Sequence, residues 1–262
     1  MANTVYENKV LVSQLKDNLT TSINHRAFMT VDTSLAENEG MIKQVNTYTY
    51  TGKAEKLAAG AKNTVRGAVA FTTNSYKVGR VQQVFDYLDE DFMADSSIVE
   101  HGMKGGSNLL VNDIVADFYV EAAKATLTQT FPKTGFTYNA VVDAIGKMNL
   151  ENENGLYLLI NPALKAEVRK DEDFKAKQLG QIIVDGAVGT IAGIPVVVSN
   201  AVPADSAYIL DKAAITLFMK EEPTVEQERD GEAGKNTIIM RQVEVVAITD
   251  KTKIVKMTRA AE

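Results

Sequence analysis

The 262-residue sequence has no cysteine and no tryptophan, only two histidines and five prolines, and no long hydrophobic run. Without cysteine there is no disulfide, no thiolate metal ligand and no thiol nucleophile. The longest apolar runs, such as residues 194–199, fall far short of the ~20 residues that a membrane helix needs. The first residues are polar and no apolar segment follows them, so no secretory signal is read. Basic charge is also in deficit, with 28 Lys and Arg against 34 Asp and Glu and a net charge of −6. DNA affinity comes mainly from Lys and Arg neutralising phosphates, so a general nucleic-acid binder is disfavoured. A wall that merely encloses DNA need not grip it.

What remains is an ordinary folded composition, 45% hydrophobic and 24% charged, for one large domain or two intimately joined ones. Val5, Val12, Leu15 and Leu19 recur near helical spacing and predict a short amphipathic helix over 5–19. Residues 20–39 are polar and irregular, and a loop of that length is unusual inside a compact domain, so an extended arm is expected. Alternation predicts strands over 41–51 and 69–78. Tyr48 and Tyr50 share one face, with Val45, Thr47 and Thr49 on the other. Between the strands, 52–68 has no apolar stripe. Together these predict a long two-stranded projection whose tip carries Lys53, Lys56, Lys62 and Arg66 against Glu55. An isolated hairpin is marginal in water and needs a partner surface.

Residues 86–95 are the opposite, with Asp86, Asp89, Glu90, Asp91 and Asp95 and no base. A long helix is predicted from Ser96 onward, with Val99, Met103, Leu110, Ile114 and Phe118 as its stripe. Gly102, Gly105 and Gly106 interrupt it, at about 1 kcal/mol each, which points to a bend, a break or a close approach by another element. A helix is predicted over 136–148 with Val141, Val142 and Ile145 inward, then a strand over 156–160 and a helix opened by Pro162. Residues 167–177 read as a solvated face. Strands follow over 181–184, 194–199, 207–210, 216–220, 224–229, 237–248 and 253–257, the last two expected to form a hairpin through Asp250 and Lys251. Helices mixed with irregularly ordered strands give an α+β class.

Chemistry has no visible seat. Gly231 to Thr237 carries Gly-x-x-Gly-Lys-Asn, not the four-residue gap and Lys-Ser/Thr of a phosphate loop, and a strand follows it. Gly186, Gly189 and Gly193 lack dinucleotide spacing and read as turn residues. His25 and His101 stand alone, with no nucleophile elbow and no zinc-type spacing. The acids of 86–95 lack the spacing of a calcium loop and read as a solvated face, although an acid/base pair among them is the alternative for a hydrolase. Tyr48, Tyr50, Phe71 and Tyr76 could stack bases, but cross-strand packing is the simpler use. No catalytic, metal or cofactor site is expected. An arm, a projecting hairpin with a basic tip and a separate acidic segment suit contact between copies. On that basis Lys53, Lys56, Lys62, Arg66, Asp86, Asp89, Glu90 and Asp91 are the subunit-contact candidates.

The order of these elements, with Ile191-Ala-Gly-Ile-Pro-Val-Val-Val-Ser-Asn-Ala-Val-Pro203, Ala207-Tyr-Ile-Leu-Asp211 and Ile254-Val-Lys-Met257, resembles the Hong Kong 97-type major capsid proteins of tailed phages. The resemblance implies an N-terminal arm (1–40), an extended hairpin loop (41–78), a peripheral domain with a long spine helix (79–133), an axial domain (134–225) and C-terminal strands completing the peripheral sheet (226–262). It implies an icosahedral shell of pentamers and hexamers around double-stranded DNA. Scaffolding, portal and decoration proteins would be its partners, with no membrane and no cofactor. The shell would be synthesised and assembled in the bacterial host cytoplasm. The short N-terminal region implies a separate scaffold or prior cleavage. An encapsulin-like compartment enclosing cargo enzymes is the alternative with the same fold. Some members join Lys to Asn between subunits; Lys53, Lys56 and Lys62 lie in the corresponding loop, but the acid and the Asn partner find no match.

Overall fold

The computed structural model describes residues 4–7, 11, 15, 25–170 and 189–260. Two sheets share one spine. The first has the order β1-β11-β12-β5, comprising β1 (Thr4–Glu7), β11 (Ile215–Asp230), β12 (Lys235–Ile248) and β5 (Gly79–Leu88), with β2 (Thr30–Asp32) also paired to β11. The second has the order β6-β13-β10-β7-β9-β8, comprising β6 (Leu127–Phe131), β13 (Ile254–Arg259), β10 (Ser206–Asp211), β7 (Leu156–Ile160), β9 (Ile194–Val198) and β8 (Thr190–Ile191). A two-stranded sheet of β3 (Ile42–Thr51) and β4 (Ala68–Lys77) stands apart. The helices are α1 (Asp89–Ala94), α2 (Ile98–Ala122), α3 (Tyr138–Met148) and α4 (Pro162–Lys170).

The spine is α2. Met103, Leu110, Ile114, Phe118 and Ala122 recur every three or four residues, and all five are buried against the even-numbered side chains of β12. The glycines inside it have separate reasons. A Cβ on Gly102 would lie 2.4 Å from the Phe85 ring, and one on Gly106 would lie 1.9 Å from the end of Met240. Both mark close approach of the sheet, whereas Gly105 faces open space. A second core fills the space between α3, α4 and the six-stranded sheet, around Phe131, Phe136, Leu158 and Met257. Val141 and Ile145 point into it, but Val142, expected inward, is exposed on the outer side of α3.

Several expectations change. Residues 5–7 belong to β1, which pairs with β11 from Thr4 opposite Arg229, so the expected N-terminal helix does not begin there. Leu11 and Leu15 are helical and buried. The strand expected over 181–184 and residues 171–177 of the solvated stretch lie outside the described residues. The stretch expected to be an arm is tied to the subunit's own body from residue 25. His25 and Met29 enter the core beneath α2, Leu35 enters a smaller core, and β2 runs parallel to β11. Residues 79–88, read as no element, form β5. The strands expected over 216–220 and 224–229 are one strand, interrupted by register shifts between Met219, Glu221 and Thr224. Pro223, which cannot donate to a ladder, sits at that irregularity.

The hairpin expected from the last two strands does not form. Both edges of β12 are already taken by β11 and β5, and β13 inserts between β10 and β6 in the other sheet. Its burial on both faces, Ile254 toward the spine core and Val255 and Met257 toward the second, suits a central strand. The C-terminal strands therefore divide between the sheets.

Candidate assembly surface

Strands β3 and β4 pair over ten residues each, with Tyr48 opposite Phe71 and Tyr50 opposite Val69. Opposed residues share a face, so these four form one apolar patch. Tyr48, Tyr50, Val69 and Phe71 are 66, 69, 64 and 66% exposed. The Tyr48 and Phe71 rings lie 6.2 Å apart. The opposite face is threonine-rich; Asn74 Nδ2 donates to Thr47 Oγ1 at 3.4 Å. Among the described residues, only the base of the hairpin is anchored. Tyr76 stacks on Phe218 at 5.1 Å and donates its hydroxyl to the Ile248 carbonyl, and Val78 is buried beside them.

Near the tip the Tyr50 ring lies over the backbone of two glycines. A Cβ on Gly52 would lie 2.5 Å, and one on Gly67 2.1 Å, from the Tyr50 hydroxyl. Beyond them Glu55 accepts from the Thr64 backbone N–H at 2.7 Å and from its hydroxyl, which holds the Glu55 carboxyl below its usual range. Lys53, Lys56, Lys62 and Arg66 are all exposed there, and none has an ion pair among the described residues.

The acidic segment divides in two. Asp86 pairs with Lys235 at 2.7 Å and accepts from Thr237 at 2.7 Å; these partners hold its carboxyl below the usual range. Asp89 pairs with Arg229 at 2.9 Å and accepts from Asn236 at 2.8 Å. Their countercharges come from the β11–β12 turn, which pairing with β5 brings alongside. Sequence reading could not place them. Glu90 and Asp91 are exposed on α1 and carry no ion pair among the described residues. Beside them stand Phe92 and Met93, 45 and 83% exposed, which the sequence reading missed. Six apolar and acidic letters in a row carry no signal of which side a short helix shows to solvent.

The 231–234 glycine segment is a turn between β11 and β12, with Gly234 at φ 58°. His101 is exposed on α2. His25 is buried, its Nε2 lying 2.9 Å from the Tyr119 hydroxyl, whose pKa is raised by burial. Beneath the spine, Gln242 donates to the buried Glu244 at 2.6 Å, with Arg26 4.0 Å away. Burial pushes the Glu244 carboxyl up to about 7; Arg26 opposes this, and Asp113 and Asp117 add to it. Among the described residues no group of His, Asp and Glu is placed to hold a metal ion, and no helix is long and apolar enough to cross a membrane.

Two sheets around a spine helix, with a hairpin that projects from the body, make the Hong Kong 97-like capsid fold. The phage capsid protein family model matches residues 72–257, most of the chain, and the chain belongs to that family. The major capsid protein of Staphylococcus phage phiMR11 is 25% identical over 263 residues, spanning 97% of this chain and 93% of that protein. The capsid structure of cyanophage P-SCSP1u superposes with a TM-score of 0.72 at 13% identity, over 90% of this chain and 87% of its own. The virus-like particle from Pyrococcus furiosus gives 0.61 at 17% identity, over 95% of this chain and 98% of its own. These likenesses concern the fold; the family match and the phage relative favour the phage capsid over the compartment alternative.

Proposed function

We propose that many copies of this chain assemble, through pentamers and hexamers, into a closed icosahedral shell that encloses double-stranded DNA without reading its sequence. The carrying observation is the hairpin, a surface of four large exposed apolar side chains and four exposed cations that have no ion pair among the described residues. Contiguous exposed apolar surface of this kind marks an interaction site. Lys53, Lys56, Lys62 and Arg66 act here as contact residues and take no part in chemistry. Of the acidic candidates, Glu90 and Asp91 have no ion pair among the described residues and would answer them, whereas Asp86 and Asp89 already have partners within the chain. A scaffold, a portal and decoration proteins are the further partners this reading implies, and the mature location is the virion, after synthesis in the host cytoplasm. The protein is a wall and not an enzyme.

Sedimentation and electron microscopy of purified protein, alone and with its co-expressed scaffold, test this. Capsomers or closed particles are expected. A protein that stays monomeric under both conditions overturns it.

A further inference from the structure

The turn that leads into β7 holds a chemistry the chain can carry out on itself. It reads Asn149-Leu-Glu-Asn-Glu-Asn-Gly155, without a base, and Asn154 is the one asparagine of the sequence that glycine follows. Both Asn154 and Gly155 are exposed. The Asn154 backbone N–H donates to Asn152 Oδ1 at 3.0 Å, and Gly155 sits at φ 88°, a conformation that favours glycine. A Cβ on Gly155 would meet nothing within 4 Å, so that side of the backbone is open. Neither the Gly155 N–H nor the Asn154 side-chain amide has a hydrogen bond among the described residues. Comparable groups elsewhere are held. Asn161 donates to the Val202 carbonyl at 2.7 Å and accepts from the Ala163 N–H at 3.0 Å, and Pro162 after it has no N–H. Asn236 donates to Asp89 at 2.8 Å. Asp230, which also precedes a glycine, accepts from the Glu232 and Ala233 N–H groups at 3.1 and 3.3 Å.

We infer that Asn154 is a self-modification site, converted by its own backbone and water into aspartyl and isoaspartyl forms. The Gly155 nitrogen, its proton lost to hydroxide, attacks Asn154 Cγ. The N–Cγ bond forms, the Cγ–Nδ2 bond breaks, and Nδ2 leaves as ammonia with a proton from water, so a cyclic imide remains. Water then opens the ring. Cleavage at Cγ gives an aspartyl residue, and cleavage at the main-chain carbonyl gives an isoaspartyl residue whose chain runs through Cγ. No oxidant or reductant is needed. Glycine matters because a side chain at 155 would stand in the path of the nitrogen; at the other asparagines the next residue has one or, as proline, lacks the N–H. Each converted copy gains a negative charge beside Glu151 and Glu153, where no base offsets it. The isoaspartyl form also lengthens the backbone by one carbon just ahead of the buried Leu156, which pairs opposite Asp211 in the second sheet. The fraction converted therefore records the age of the protein.

The test incubates the purified full-length protein in warm, mildly alkaline and mildly acidic buffers, with a synthetic peptide of residues 149–157 beside it as a clock. Isoelectric focusing should show an acidic band that grows severalfold faster in the alkaline buffer, because the attacking nitrogen must lose its proton. Peptide mapping by mass spectrometry should place the exchange of an amide NH2 for OH at Asn154 ahead of every other asparagine. Enzymatic methylation specific for isoaspartate should label the same peptide. Asn154→Gln, which would have to close a larger ring, should lose the acidic band, and Asn154→Asp should begin at its position. The mapping of the unaltered protein decides by itself should a variant fold poorly. An Asn154 still intact when the free peptide has converted overturns the site, since the fold would then protect it. Conversion spread evenly over the asparagines, or an acidic band that persists in Asn154→Gln, overturns it equally.

Discussion

The β11–β12–β5 strands beneath the spine helix and the β3–β4 hairpin are both antiparallel β-structure, yet they treat large apolar side chains in opposite ways. Under α2, Phe118, Met240 and Ile238 are sealed between helix and sheet. On the hairpin, Phe71, Tyr48 and Tyr50 keep about two-thirds of their surface in water. The first region satisfies the hydrophobic effect within the chain; the second defers it to another molecule. Truncating an aromatic should therefore give different phenotypes in the two regions. Phe118→Ala should destabilise the subunit by about 3–5 kcal/mol, the range for emptying a packed aromatic site. Phe71→Ala should change subunit stability by less than about 0.5 kcal/mol, as exposed substitutions do, while suppressing particle formation. Denaturant unfolding of the unassembled protein, beside particle yield, separates the two. Equal destabilisation by both would show that the hairpin belongs to the subunit core.

The tip takes the contrast further. Residues 53–66 contribute no buried side chain, so replacing them with a short Gly-Ser link should leave the unfolding midpoint unchanged. The same replacement should stop assembly, because it removes the tip cations and the Glu55–Thr64 link that shapes them. Normal shells from this variant would strip the tip of its assigned role.

The body is not uniformly relaxed either. Glu244 sits under the spine with its carboxyl pushed up to about 7 by burial. Its folded value therefore lies above the unfolded 4.5, so the folded state holds the proton more tightly. Below pH 4.5 both states are protonated and Glu244 contributes no penalty. As pH rises toward 7 stability is lost, reaching a penalty on the order of 3 kcal/mol above it. Glu244→Gln, whose carbonyl can still accept from Gln242, should raise stability at pH 8 by about 1–3 kcal/mol and make little difference near pH 4.5. Melting curves across that range check the sign; a variant less stable at pH 8 would mean that the Arg26 contact outweighs the burial.

Local patterns were legible in the sequence, and pairings between distant segments were not. The alternation of Tyr48, Tyr50, Val69 and Phe71 predicted the hairpin to within a residue, because a period of two needs no knowledge of partners. The stripe of α2 was equally readable, and so was a close approach at its glycines. Strand β5 escaped because Gln83 interrupts the inward face of Val81, Phe85 and Tyr87, which becomes evident only against β12. The destination of β13 escaped because a nearby turn argues for the nearest strand, while the vacancy that accepts it lies between β6 and β10. The assembly surface split in the same way. Its basic tip was legible in composition, but the loss of Asp86 and Asp89 to Lys235 and Arg229 depends on a turn about 140 residues onward.

The spine glycines give the smallest and most local version of the comparison between filled and open space. Gly105 lies on the exposed side of α2 with nothing near its missing side chain, so Gly105→Ala should stabilise the subunit by up to about 1 kcal/mol, the helix propensity difference. Gly102 faces the Phe85 ring at a separation no real Cβ tolerates, so Gly102→Leu must displace either the ring or the helix. An overpacking cost of about 1–3 kcal/mol is expected there, and it should fall if Phe85 is shortened to Leu in the same chain. Chemical denaturation of the three variants reads these signs directly. If Gly105→Ala destabilised while Gly102→Leu did not, the side of the spine helix that meets the sheet would have been misassigned.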